Sequence, residues 1–142
     1  MTNTWFKVVS CLLIFSIGAY LIWRWDDRNL ISYLNYKREN GDYYADLNLA
    51  VDKDWELVCD SHPYDGPLYL KKYDRTYEPV AWSQDSAWGL LFIDKNGDYF
   101  SITGSESDGV DFHNLGCLPR DKAKFEFDVS RKAWAPIKSA GS

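Results

Sequence analysis

Residues 88–103 read WGLLFI, DKNGD, YFSIT, the clearest local signal in the chain. Trp88 to Ile93 is apolar, uncharged and too short for an ordinary helix, as a fully buried strand is. Asp94 to Asp98 holds the Asn96-Gly97 step, the strongest short signal for a chain reversal between strands. Tyr99-Phe100-Ser101-Ile102-Thr103 is again rich in aromatic and β-branched residues. The stretch predicts a β-hairpin, and with it an antiparallel sheet.

Towards the C-terminus, Gly104 to Gly109 (GSESDG) reads as a flexible polar loop. Lys124 to Val129 alternates and predicts a late strand. The tail from Pro136 reads as loose. Towards the N-terminus, Leu68 to Tyr73 is either a strand or one or two helical turns. His62 to Pro67 is a loop, stiffened by two prolines. Trp55 to Asp60 predicts a strand with Trp55, Leu57 and Cys59 on one face. Tyr43 to Leu49 alternates from Ala45 onward and reads as another strand, with Asp52-Lys53-Asp54 as a turn. Asp26 to Arg38 carries Leu30, Ile31 and Leu34 at helical spacing, acids at its start and bases at its end, and Asn40-Gly41 to close it.

The first 25 residues differ from the rest. Phe6 to Trp23 is interrupted only by Lys7, and at about 1.5 Å per residue its 18 residues span about 27 Å, close to one hydrocarbon thickness. Trp5 and Phe6 at one end, and Trp23 and Trp25 at the other, are the rings that a lipid–water interface selects. A cleaved signal peptide is the rival, with a weak small-residue site near Gly18-Ala19. The apolar run continues through Tyr20-Leu21-Ile22-Trp23, which favours a retained anchor. The expected layout is therefore a membrane anchor over 1–25, a helical connector over 26–41, a small β-rich globular domain over 42–135 and a loose tail over 136–142. The fold class is α+β: an N-terminal transmembrane helix, then a mainly antiparallel β-sheet domain.

Past the first 25 residues there are 14 basic and 21 acidic side chains, a net of −7. Such a body lacks the basic footprint that nucleic acid requires and suits a basic protein partner. The side of the membrane is contested. Arg24, Arg28, Lys37 and Arg38 after the anchor, against Lys7 before it, would hold the body in the cytoplasm. The short N-terminal tail, the signal-like start and the cysteines favour export, and the expected location is the cytoplasmic membrane, single-pass, with the domain facing the periplasm or exterior.

Cys59 and Cys117 are the body's two cysteines, and in an oxidising compartment two such residues usually pair. Free buried thiols are one alternative. A zinc site is another, since Cys59-x-x-His62 and His113-x-x-x-Cys117 supply two sulfurs and two imidazoles. Asp94, Asn96 and Asp98 begin like a calcium loop but lack its glycine and its closing glutamate, so a hairpin turn accounts for them. Glu106, Asp108, Asp111 and His113 place carboxylates near an imidazole without a nucleophile or a readable catalytic motif. No catalytic residue, resident metal or cofactor is expected. The binding candidate is the loop His62, Pro63, Tyr64 and Asp65, because a stiff turn bearing an aromatic loses little entropy on docking. Its alternative is a structural turn that buries Tyr64.

Trp55-x-x-Val58-Cys59, Pro63-Tyr64, and Trp88 through Leu91-Phe92-Ile93 to Gly97 resemble a loose group of small exported or membrane-tethered bacterial proteins. The likeness covers about half of the body and implies location and an α+β body, with no activity to carry over. In layout alone, the chain is similar to some bacteriocin immunity proteins and periplasmic hydrolase inhibitors. The expected function is protein binding, as an immunity or inhibitor protein against a basic toxin or wall hydrolase. An accessory subunit of a membrane complex is the second possibility and a metal-dependent enzyme the third.

Overall fold

The computed structural model describes residues 14–17, 25–62, 64, 66–79, 87–112 and 115–137. Residues 14–17 are helical, with Ile14, Phe15 and Ile17 exposed. Among the described residues no helix is long and apolar enough to cross a membrane. The rest of the expected anchor, apart from Trp25, lies outside them.

The connector is a helix, α1, over Trp25–Glu39. Leu30 and Leu34, one turn apart, are fully buried. Its end is a Schellman closure. Gly41, at φ 70°, donates to the Arg38 carbonyl, and the Asp42 N–H reaches back to Lys37 O at 2.9 Å. Two orphan carbonyls are satisfied there, and glycine adopts the left-handed conformation at little cost.

β1 covers only Tyr44–Asp46. The strand expected to run on to Leu49 turns instead into a short helix, α2 (Leu47–Ala50). Asp46 causes the change: its Oδ1 accepts from the Asn48 N–H at 2.9 Å, which caps α2. The local cap outcompetes the alternation of apolar residues.

The centre of the molecule is a four-stranded antiparallel sheet in the order β6-β5-β2-β7. It is built from β2 (Leu57–Ser61), β5 (Ala87–Ile93), β6 (Tyr99–Ser105) and β7 (Cys117–Pro119). The expected hairpin is β5-β6, with Ile93 opposite Tyr99 and Leu90 opposite Ile102. Its connection is a three-residue loop, Lys95 to Gly97, with Gly97 at φ 82°. The Gly97 N–H donates to Asp94 O, and Asp94 N–H donates to Asp98 O. Asp94 Oδ1 also accepts from the backbone of Asn96 and Asp98. A type I turn with a left-handed residue after it produces this geometry.

A second sheet, β1-β8-β9, pairs β8 (Lys124–Asp128) with β1 on one side and β9 (Ala133–Pro136) on the other. The last strand reaches into the expected tail, since Pro136 faces Phe125 and the Ile137 N–H donates to Lys124 O. A small hairpin, β3 (Leu68–Leu70) and β4 (Arg75–Tyr77), completes the fold. The molecule is thus a mixed α+β domain with mainly antiparallel sheets.

The main core lies between one face of the central sheet, α1 and the β1-β8-β9 sheet. It holds Trp55, Val58, Trp88, Leu90, Phe92, Ile102, Phe112, Phe125 and Trp134, with Leu30 and Leu34 from α1. Trp55 belongs to this cluster, whereas Leu57 and Cys59 belong to the other face. The expected shared face of Trp55, Leu57 and Cys59 fails because Trp55 precedes β2, where the strand alternation does not yet apply. Gly104 lies opposite Trp88 on the neighbouring strand. A Cβ there would stand 2.4 Å from Trp88 Cζ2, so the indole needs glycine beneath it.

Candidate functional site

The far face of the central sheet carries a smaller cluster: Cys59, Tyr77, Leu91 and Ile93, with Leu57, Leu68, Leu70 and Tyr73 against them. Polar bonds pin the β3-β4 hairpin over it. The buried Tyr77 hydroxyl donates to Gly97 O at 2.9 Å, and Arg75 Nη1 donates to the same carbonyl at 2.8 Å. Glu56 accepts from both Lys72 Nζ and Tyr73 Oη. The Lys72 bond, and then the Tyr73 bond, hold the Glu56 carboxyl below its usual range. Burial, and then the Glu56 bond, push the Tyr73 phenol well above its own.

Beside this cluster lies a cleft of about 230 Å³. One wall is the end of β2 and the start of β7, namely Asp60, Ser61, Gly116 and Cys117. The other is the entry to β3 and the exit from β4, namely Gly66, Pro67, Leu68, Tyr77, Glu78 and Pro79, with Leu91 on β5 between them. Cys59 and Cys117 face each other across β2 and β7, with sulfurs 2.09 Å apart, a disulfide distance. Cys59 is buried, whereas Cys117 is exposed and lines the cleft. Asp60 N–H donates to Gly116 O at 2.9 Å, so the two strands of this wall are joined again one residue on.

The binding candidates sit at this end of the molecule. His62 follows β2 directly, with Nε2 3.7 Å from Asp60 Oδ2, an ion pair when the imidazole is protonated. Tyr64 is 80% exposed, which removes the reading of a turn built to bury it. Pro63 and Asp65 lie outside the described residues, as does His113, one of the four residues in the zinc alternative. Among the described residues no three His, Cys, Asp or Glu side chains are placed to hold a metal ion.

The other candidate loops have structural occupations. Ser105 N–H donates to Asp108 Oδ2 at 2.9 Å, and Asn35 Nδ2 donates to Asp108 O at 2.8 Å. Arg38 Nη1 donates to Gly109 O. The loop expected to be flexible is therefore fastened to α1. Asp111 Oδ1 accepts from the Phe112 N–H at 2.8 Å, and its carbonyl accepts from Trp134 N–H. In the calcium-like segment, Asp98 meets Arg75 at 3.1 Å and Asp94 caps the turn.

Sequence reasoning missed Glu78 and Pro79. Nothing in their own residue types marks them, and they reach the cleft only because β3 and β4 fold back across the sheet. It also missed Arg120. This residue stacks over Trp55 at 5.0 Å and donates to Asn48 Oδ1 and Trp55 O, tying α2, the start of β2 and the end of β7 together.

Comparison with protein-family models, with curated proteins and with solved structures gives no match.

Proposed function

We propose that this chain is a membrane-tethered envelope protein whose exported body binds a basic protein, in an immunity or inhibitor role against a toxin or wall hydrolase. The observation that carries this reading is the exposure of Tyr64, in the loop between Ser61 and Gly66, which both line a cleft that also holds two carboxylates, Asp60 and Glu78. An aromatic side chain on a stiff turn makes a good anchor at an interface. Carboxylates around it would steer a basic partner and receive a lysine or arginine. The cysteine pair supports export, since such pairs persist in oxidising compartments. The apolar run of Phe6 to Trp23, with its flanking tryptophans, supports the tether. The likeness to small membrane-tethered bacterial proteins agrees with both.

The test is capture from envelope extract on the immobilised full chain, with identification of what is bound. The expected partner is basic, binds less well as salt rises, and is lost about tenfold or more on Tyr64→Ala. Glu78→Gln weakens it by a smaller factor. Absence of a partner, salt-insensitive binding or full retention by Tyr64→Ala would sink the reading. Thiol labelling from outside intact cells, with and without reductant, reports the side of the membrane and the state of the cysteines together.

A further inference from the structure

β6 is an edge strand of the central sheet, paired with β5 alone among the described residues. The bonds that close its hairpin show which backbone groups point outward. Asp94 donates to Asp98 O, so this facing pair is hydrogen-bonded. In an antiparallel ladder such pairs alternate with unbonded ones. Ile93 opposite Tyr99 is thus unbonded within the hairpin, and the Ile93 carbonyl indeed turns the other way, accepting from Glu56 N–H at 2.8 Å. By the same alternation the N–H and C=O of Tyr99, Ser101, Thr103 and Ser105 face away from β5. The Ser105 N–H confirms the parity, because the Asp108 carboxylate takes it. Among the described residues, Tyr99, Ser101 and Thr103 are left with a row of outward donors and acceptors that no other strand takes.

Edge strands of soluble proteins are commonly blunted by a lysine, a proline or a bulge. Tyr99 to Thr103 has no charge and no proline, and its register with β5 runs without a bulge. It is also self-complementary. In an antiparallel pair of two such strands centred on Ser101, Tyr99 faces Thr103, Phe100 faces Ile102 and Ser101 faces itself. The outward groups of Tyr99, Ser101 and Thr103 then meet their like, each facing pair exchanging two hydrogen bonds. The aromatic residues fall opposite β-branched ones, a favourable cross-strand pairing.

We propose that the open edge of β6 pairs with β6 of a second copy of this chain, joining two four-stranded sheets into one continuous sheet about a two-fold axis at Ser101. The proposal does not rest on the basic-partner reading, and salt separates the two. Two net-negative chains repel, so raising salt screens them and strengthens the dimer, whereas it weakens binding to a basic partner.

The experiment uses the full chain with Cys11→Ser in non-ionic detergent, its mass followed by sedimentation as salt is raised. The expected result is a dimer. Ser101→Pro removes an N–H that the β5-β6 ladder does not use, so it is expected to give a monomer with an unchanged far-ultraviolet dichroism spectrum. Ser101→Cys adds a positional readout that needs no proline. Facing residues of a bonded pair lie about 5.5 Å apart at Cα, within disulfide reach, so mild oxidation should cross-link two chains, while Ser130→Cys in the β8-β9 turn should not. A chain that stays monomeric at about 100 μM, where a micromolar association would be saturated, overturns the proposal. So does a dimer that weakens with salt, or one that survives Ser101→Pro and gives no Ser101→Cys cross-link.

Discussion

On one face of the central sheet, Trp55, Trp88, Phe92 and Ile102 meet α1 and a second sheet; on the other, among the described residues, Cys59, Leu91 and Ile93 meet a short hairpin through Tyr77, Leu68 and Leu70. The first face works by area. Its rings interlock edge to face, Trp55 on Phe92 at 5.2 Å and Trp88 on Phe112 at 5.1 Å, and Phe92 stacks flat on Phe100. Large rings close to one another bury much surface with few residues. The second face works by ties. Two bonds onto the Gly97 carbonyl and the shared Glu56 carboxylate hold the hairpin, and the cysteine pair joins β2 to β7. The difference separates what keeps the domain folded from what keeps the cleft in shape.

Phe92→Ala should give the largest effect, about 3–5 kcal/mol by denaturant unfolding, since it empties the middle of the main core. A smaller loss than the second face shows would reverse the assignment of roles. Replacing Cys59 and Cys117 together by alanine removes a closure between positions 58 apart, with an expected cost of about 2–4 kcal/mol. The domain should remain folded and Trp88 should keep its buried fluorescence, while cleft-side amides exchange faster. Uniform exchange over both faces would erase the distinction. Tyr77→Phe deletes one buried bond and should cost about 1 kcal/mol.

Acid and alkali probe the same face more gently. Glu56 is held below its ordinary pKa by Lys72 and then Tyr73, so its contribution is present above the unfolded-state value and is lost as pH falls through the lower folded one. Tyr73 is shifted the other way, chiefly by burial. Its contribution is complete below about pH 10 and is lost as pH rises towards the higher folded value. Urea midpoints across pH should therefore flatten on the acid side in Glu56→Gln and on the alkaline side in Tyr73→Phe. An unchanged acid limb in Glu56→Gln would place the acid sensitivity elsewhere.

The hairpin and α1 were legible because their signals are local. Six apolar residues before an Asn-Gly step, and Leu30 to Leu34 ahead of Asn40-Gly41, carry their own geometry. The early strand ended too late in the sequence reading because Asp46 caps α2 as readily as it sits in a strand. β7 was not anticipated: it is three residues long, one of them proline, and exists by pairing with β2. The cleft was half legible. His62 and Tyr64 announce themselves in a proline-rich loop, but Glu78 and Pro79 arrive there through a fold-back that no neighbouring residue specifies.

The fastening of α1 to the loop after β6 has a mechanical consequence. Asn35 and Arg38 grip the carbonyls of Asp108 and Gly109, Arg38 lies over the Phe127 ring at 6.0 Å, and Leu30 and Leu34 are sunk in the core. A load entering at the N-terminal end of α1 is carried through these contacts into both sheets at once. The helix is a strut with its foot bolted down, not a tether, and tension on it would be resisted by the whole body before any single strand peeled away.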